Sequence, residues 1–230
     1  MEETLEQLLD EATLAVEAGN EQKGEQLLDQ LARSSDPGVI DVMVKTLRGG
    51  GTKLRQALAI RVLHLLGYPK NEPAIADLIY HLGDPNLPGW REAAVTLRAI
   101  EVAVLTPYLV RALLDQDAAL QFGKSTYSIW GSNVEGVCYW LTQVEGEYTR
   151  LCYPAIIYLL SQAELLQRSD APDINVMLDV LEKADVHEEY IILTLIALAK
   201  KHHEDFIGTH AQLLLATFKQ EALAPYKLYY

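Results

Sequence analysis

Several groups of residues in this chain have types and spacing that chemistry could use. Ala118-Ala119-Leu120-Gln121-Phe122-Gly123-Lys124-Ser125 satisfies a relaxed phosphate-loop pattern, in which backbone amides and a lysine cradle phosphates ahead of a helix. Its surroundings do not fit. Ala118 stands where the first glycine belongs, and the upstream segment Tyr108 to Leu114 has a helical period where a strand is needed. The stretch reads more simply as a turn between helices, with Ser125 or Thr126 as a cap.

From Lys45 to Lys70 the chain carries Lys45, Arg48, Lys53, Arg55, Arg61 and Lys70 and no acid, interrupted by Gly49-Gly50-Gly51 and Thr52 at a helix start. Open amides beside Arg48, Lys53 and Arg55 would suit a carboxylate or a phosphate. The competing reading is that these bases neutralise an acidic segment packed beside them. His202, His203, Glu204, Asp205 and His210 offer metal-ligand types, but Gly208 interrupts the helix they would share and neighbouring side chains diverge. They read as a solvated helix end, so no metal and no cofactor is expected. His64, His81 and His187 stand isolated on helices, and carboxylate pairs are too common on an acidic helical surface to point to acid-base chemistry.

Between Phe122 and Tyr158 lie eight of the eighteen aromatic residues. Such a stripe is mostly core, and the rings left outside it are the ones that anchor interfaces. Tyr127, Trp130, Trp140 and Tyr148 are the candidate partner-binding residues. Cys138 and Cys152 are the only cysteines, expected as reduced thiols, with a bridge between them left open.

The charge balance bounds the partners. The 230 residues hold 19 Lys and Arg against 32 Asp and Glu, a net of −13, which repels phosphate backbones and anionic membranes. No nucleic acid and no membrane is expected. The most apolar stretch, Tyr190 to Ala199, is half the length a bilayer needs. Met1-Glu2-Glu3-Thr4 does not look like a secretion or transit signal, so a cytoplasmic location is expected. Residues 1–31 contain nine acids and one base, Lys23, and so hold most of the excess charge. A polar outer face on a terminal repeat keeps a stacked array soluble, and an acidic docking surface is the rival reading.

The elements that must position these groups are helical. One apolar template recurs at i, i+3, i+4, i+7: Ile40-Met43-Val44-Leu47, Ile75-Leu78-Ile79-Leu82, Thr106-Leu109-Val110-Leu113, Tyr153-Ile156-Ile157-Leu160 and Ile174-Met177-Leu178-Leu181. Second helices are predicted between these copies, over Lys53 to Leu66, Gly89 to Ile100 and Thr126 to Val144. Asp36-Pro37, Asn71 with Pro73, Thr106-Pro107 and Asp185 with Glu188 read as helix starts. Ahead of the repeats, Leu5, Leu8, Leu9, Ala12 and Val16, then Leu27, Leu28 and Leu31, give two shorter amphipathic helices joined near Gly19-Asn20.

Leu82-Gly83-Asp84-Pro85-Asn86-Leu87-Pro88-Gly89-Trp90-Arg91-Glu92-Ala93-Ala94-Val95-Thr96-Leu97 resembles the turn and second helix of a HEAT repeat, and Arg55 with Leu58-Ala59 is a weaker echo. With the apolar templates, this makes Asp36 to Asp115 similar to the HEAT alpha-solenoid family, including the short type found in phycobilin lyases. The resemblance implies that Asp84 and Arg91 lock neighbouring repeats, and that Trp90 packs at a repeat joint. It implies an all-α fold: a right-handed alpha-alpha solenoid of HEAT-like helix pairs with helical caps, in one domain over residues 1–230. Residues 1–35 form the acidic cap, 36–115 the best-matching repeats, and 116–230 degenerate repeats with a C-terminal cap. The expected function is a non-catalytic scaffold that binds a protein or peptide, the alternative being a HEAT-type lyase or chaperone acting on a tetrapyrrole-carrying protein. The aromatic tail Pro225-Tyr226-Lys227-Leu228-Tyr229-Tyr230 is expected to tuck against the last helix.

Overall fold

The computed structural model describes residues 4–49, 51–82, 89–114, 133–144, 146–161, 174–183, 189–204, 206–217 and 223. Among them all regular structure is helical, as the apolar period requires. The chain divides into two compact units, residues 1–129 and 130–230.

The first unit contains α1 (Leu5–Glu17), α2 (Glu21–Arg33), α3 (Gly38–Leu47), α4 (Lys53–Leu66), a 3-10 turn at Glu72–Ala74, α5 (Ile75–His81), α6 (Trp90–Arg98) and α7 (Val102–Leu114). Their ends follow from local chemistry. Thr4 and Gln7 form a reciprocal capping box at α1, the Gln7 N–H donating to Thr4 Oγ1 at 3.3 Å and the Thr4 N–H to Gln7 Oε1 at 2.8 Å. Asn20 accepts from the Lys23 N–H at the start of α2, and Thr52 from the Arg55 N–H at the start of α4. Gly67 ends α4, so its predicted span, Lys53 to Leu66, is the span observed. Asp36 accepts from the Gly38 N–H at 2.8 Å, with Pro37 between them.

Two predicted starts are corrected. Thr106-Pro107 lies inside α7, because Glu101 accepts the Val104 and Leu105 N–H groups and opens the helix a turn earlier. Thr106 then donates its hydroxyl back to the Val102 carbonyl at 2.7 Å. Asn71 caps no helix with its side chain. It is buried, and its Nδ2 donates to the Leu63 carbonyl at 3.1 Å.

Consecutive helices pair, α1 with α2, α3 with α4 and α5 with α6, and alternate helices also touch. α2 meets α4 and α4 meets α6 in one layer; α1 meets α3 and α5 meets α7 in the other, with α3 against the 3-10 turn that leads into α5. Each amphipathic helix thereby buries its apolar stripe against a partner and a neighbour. Leu28, Leu31, Ile60, Leu63 and Leu97 fill the first layer, and Leu9, Met43, Leu78, Leu105 and Leu109 the second. Each such side chain contributes about 1.5–3 kcal/mol on burial. Gly89 makes the approach of α6 to α4 possible: its φ is +88°, and a Cβ there would lie 2.9 Å from Ala57 Cα.

The second unit contains α8 (Asn133–Gln143), α9 (Gly146–Ser161), α10 (Ile174–Lys183), α11 (Glu189–Lys201) and α12 (Phe206–Thr217). The alternation persists. α8 meets α10 and α10 meets α12, while α9 meets α11 on the other side. Trp140, Tyr153, Ile156, Leu178, Leu195 and Leu215 form its core. All five copies of the apolar template fall on helices: α3, α5, α7, α9 and α10.

Candidate interaction surface

The bases of the 45–70 segment fasten helix to helix. Lys45 on α3 reaches Glu6 on α1 at 2.8 Å, and this ammonium holds the Glu6 carboxyl below the usual carboxylate range. Arg55 on α4 donates from Nε to Asp10 on α1 at 2.8 Å and from Nη1 to Thr46 on α3 at 2.9 Å. Arg61 on α4 lies 3.7 Å from Glu25 on α2. Arg48, just past α3, grips Asp77 on α5 through two bonds of 2.7 and 3.1 Å, and this carboxylate raises its guanidinium pKa. His64 on α4 meets Thr96 on α6 at 3.1 Å. The Thr96 hydroxyl donates its proton to the Glu92 carbonyl, so it accepts from His64 Nδ1–H.

Of the candidate anion-binding residues, Arg48 and Arg55 are therefore taken up by carboxylates of the chain, while Lys53 is exposed at the start of α4 and is also engaged. Arg48 and Asp77 form an Arg–Asp pair between α3 and α5. Arg91 is exposed and forms no ion pair among the described residues, and Asp84 lies outside them. Trp90 packs at the joint as expected, its Nε1–H donating to the Leu82 carbonyl at 3.1 Å.

The remaining polar candidates do not converge. His203 meets Glu204 at 3.4 Å with both side chains exposed, and among the described residues no three metal-capable side chains come together. Cys138 and Cys152 are free and buried; burial pushes both thiols up, Cys152 to about 12. His81 is buried on α5 with neither ring nitrogen hydrogen-bonded. Its pKa is lowered by burial, against the weaker pull of the Asp77 carboxylate and the Leu47 carbonyl. An open depression of about 1470 Å³ runs between the start of α1, the end of α2 and α3. Its carboxylates are occupied: Glu6 by Lys45, Asp29 by Arg33, and Asp36 by the Gly38 N–H.

The aromatic candidates divide. Trp140 is fully buried in the core of the second unit, and so is Tyr153. The phosphate-loop stretch, Tyr127, Trp130, the Tyr148 side chain, the Asp185 start and the C-terminal tail lie outside the described residues. Among the described residues the exposed ring of that stripe is Tyr158, at 56%, which the sequence does not single out. It stands on α9 with Leu151, 50% exposed, and Pro154, also exposed, at i, i+3 and i+7. The opposite side of the same helix buries Cys152, Tyr153, Ile156, Ile157 and Leu160. From Leu151 to Leu160 α9 carries no charge, so it is apolar on both sides and covered on one.

Neighbouring α11, in the same layer, turns Leu193 and Ala197 outward. The outer face of this layer thus carries two adjacent apolar lines. Pro154 has no N–H, so the Arg150 carbonyl lacks its usual i+4 helical donor.

Comparison with protein-family models, with curated proteins and with solved structures finds no match for this chain. No helix among the described residues is long and apolar enough to cross a membrane.

Proposed function

We propose that the protein is a non-catalytic scaffold, a right-handed solenoid of HEAT-like helix pairs, that binds a protein or peptide on the outer face of α9 and α11. The alternation of helix contacts in both units and the ties that join the first three helix pairs support the repeat architecture. The observation that carries the functional reading is the exposure of Leu151, Pro154 and Tyr158 on a helix that is apolar on its other side as well. A helix of that composition is stable in water when both sides are covered, and a partner supplies the second cover. Tyr158 is the anchor: a large ring with a polar tip, ordered at low entropic cost. The two buried thiols without a disulfide fit a reducing cytoplasm.

The test uses the full chain as bait in extract of its native cell, beside Leu151→Asp and Tyr158→Ala. Both positions are exposed, so both variants keep the unfolding midpoint of the parent. The expected result is a discrete captured protein that each substitution weakens by about 2 kcal/mol, near thirty-fold. A captured protein retained equally by both variants would overturn the assignment of this face.

A further inference from the structure

The charges beside the α9–α11 face differ from those on α2, α3 and α4. From Lys23 through Arg61 each lysine and arginine is engaged, most of them with a carboxylate of the chain. Arg150 on α9 and Lys200 and Lys201 on α11 are exposed and form no ion pair among the described residues. Lys200 and Lys201 lie in the last turn of α11, where cations offset the helix dipole. Arg150 lies near the opposite end of α9, the end at which the dipole favours anions, so helix electrostatics do not account for it. A protein of net charge −13 therefore presents exposed cations, without an ion pair among the described residues, on the helices that carry its exposed apolar lines.

Resting on the reading of this face as an interaction surface, we propose that its occupant is an acidic amphipathic helix of a partner protein. Exposed apolar residues on two helices in contact offer a face on which a third helix packs through anchors at i, i+3 or i+4, and i+7. Carboxylates on either side of that stripe reach Arg150 at α9 and Lys200 and Lys201 at α11, and fix which way the helix lies. An anionic lipid surface is disfavoured, because the rest of the molecule repels it.

The experiment is selection from a displayed library of amphipathic helices, apolar at one stripe and randomised among Asp, Glu, Lys, Arg and Ser elsewhere, against the full chain. The expected outcome is enrichment of Asp and Glu beside the stripe. Selected peptides should bind at least ten-fold more weakly to Leu151→Asp and to the triple variant Arg150→Glu/Lys200→Glu/Lys201→Glu, and lose affinity as salt rises. Enrichment of Lys and Arg, no charge preference, or equal binding to the variants overturns the proposal. So does binding to phosphatidylserine vesicles that the triple variant abolishes, or self-association that it abolishes, since the occupant is then a membrane or a second copy. If no helix is selected while the native partner still depends on Tyr158, the acidic helix is wrong and the interaction surface stands.

Discussion

Arg48 holds Asp77 through two N–H···O bonds, with the carboxylate buried at 3% exposure and the guanidinium half open to water. The pair joins the end of α3 to the first turn of α5, and so ties one helix pair to the next. Removing the arginine leaves a buried carboxylate without its counter-charge. Arg48→Ala is expected to destabilise the protein by about 2–4 kcal/mol, at the lower side of what a broken buried pair costs because water reaches the site. Lys45→Ala, which breaks an ion pair between exposed side chains, is expected to have a much smaller effect. Urea unfolding at pH 7 measures both; equal effects would contradict the ranking.

His81 sets a pH dependence. Its ring is buried with at most a weak interaction with the Leu47 carbonyl, and burial lowers its pKa, so folding favours the neutral form. A depressed histidine contributes full stability above the ordinary imidazole range, near pH 6.5, and that contribution is lost as pH falls towards and through the folded value. Unfolding midpoints are therefore expected to drop between about pH 7 and pH 5. His81→Leu, which removes two unpaired polar atoms from the core, should flatten this slope and leave stability at pH 7 unchanged or higher. A His81→Leu profile that parallels the parent would show that other groups set the acid limb.

Much of the helical layout could be read in advance, because an apolar stripe at 3.6-residue spacing and the caps beside it are local properties. Thr52 and Gly67 bracket α4 at its observed ends. Thr106-Pro107 misled because proline at a helix start and proline one turn further in have the same local sequence, and only the position of the Glu101 carbonyl distinguishes them. The Arg48–Asp77 pair was not legible for a related reason: the two residues are 29 apart, a separation that no short motif marks. Tyr158 could not be distinguished from Tyr153 by composition. On a helix apolar all round, which ring faces the core depends on where the neighbouring helices lie.

The thiols give a further prediction. Cys138 and Cys152 are buried, and their raised pKa keeps both protonated at pH 8. An aromatic disulfide reagent such as dithiobisnitrobenzoate should label neither in the folded protein, and should label both at the rate of unfolding once urea is added. A rapid reaction of one thiol in the native state would mean that the α8–α9 core opens more readily than its packing implies.

The most direct test of the account places a photo-activatable benzoylphenylalanine at Tyr158 in the living source cell, with the same residue at Glu21, an exposed position on α2, as the control. Irradiation is expected to yield one discrete covalent adduct from position 158 and none of that mass from position 21. No adduct at 158, or the same set of adducts at both positions, would contradict the claim that the outer face of α9 is where this protein holds its partner.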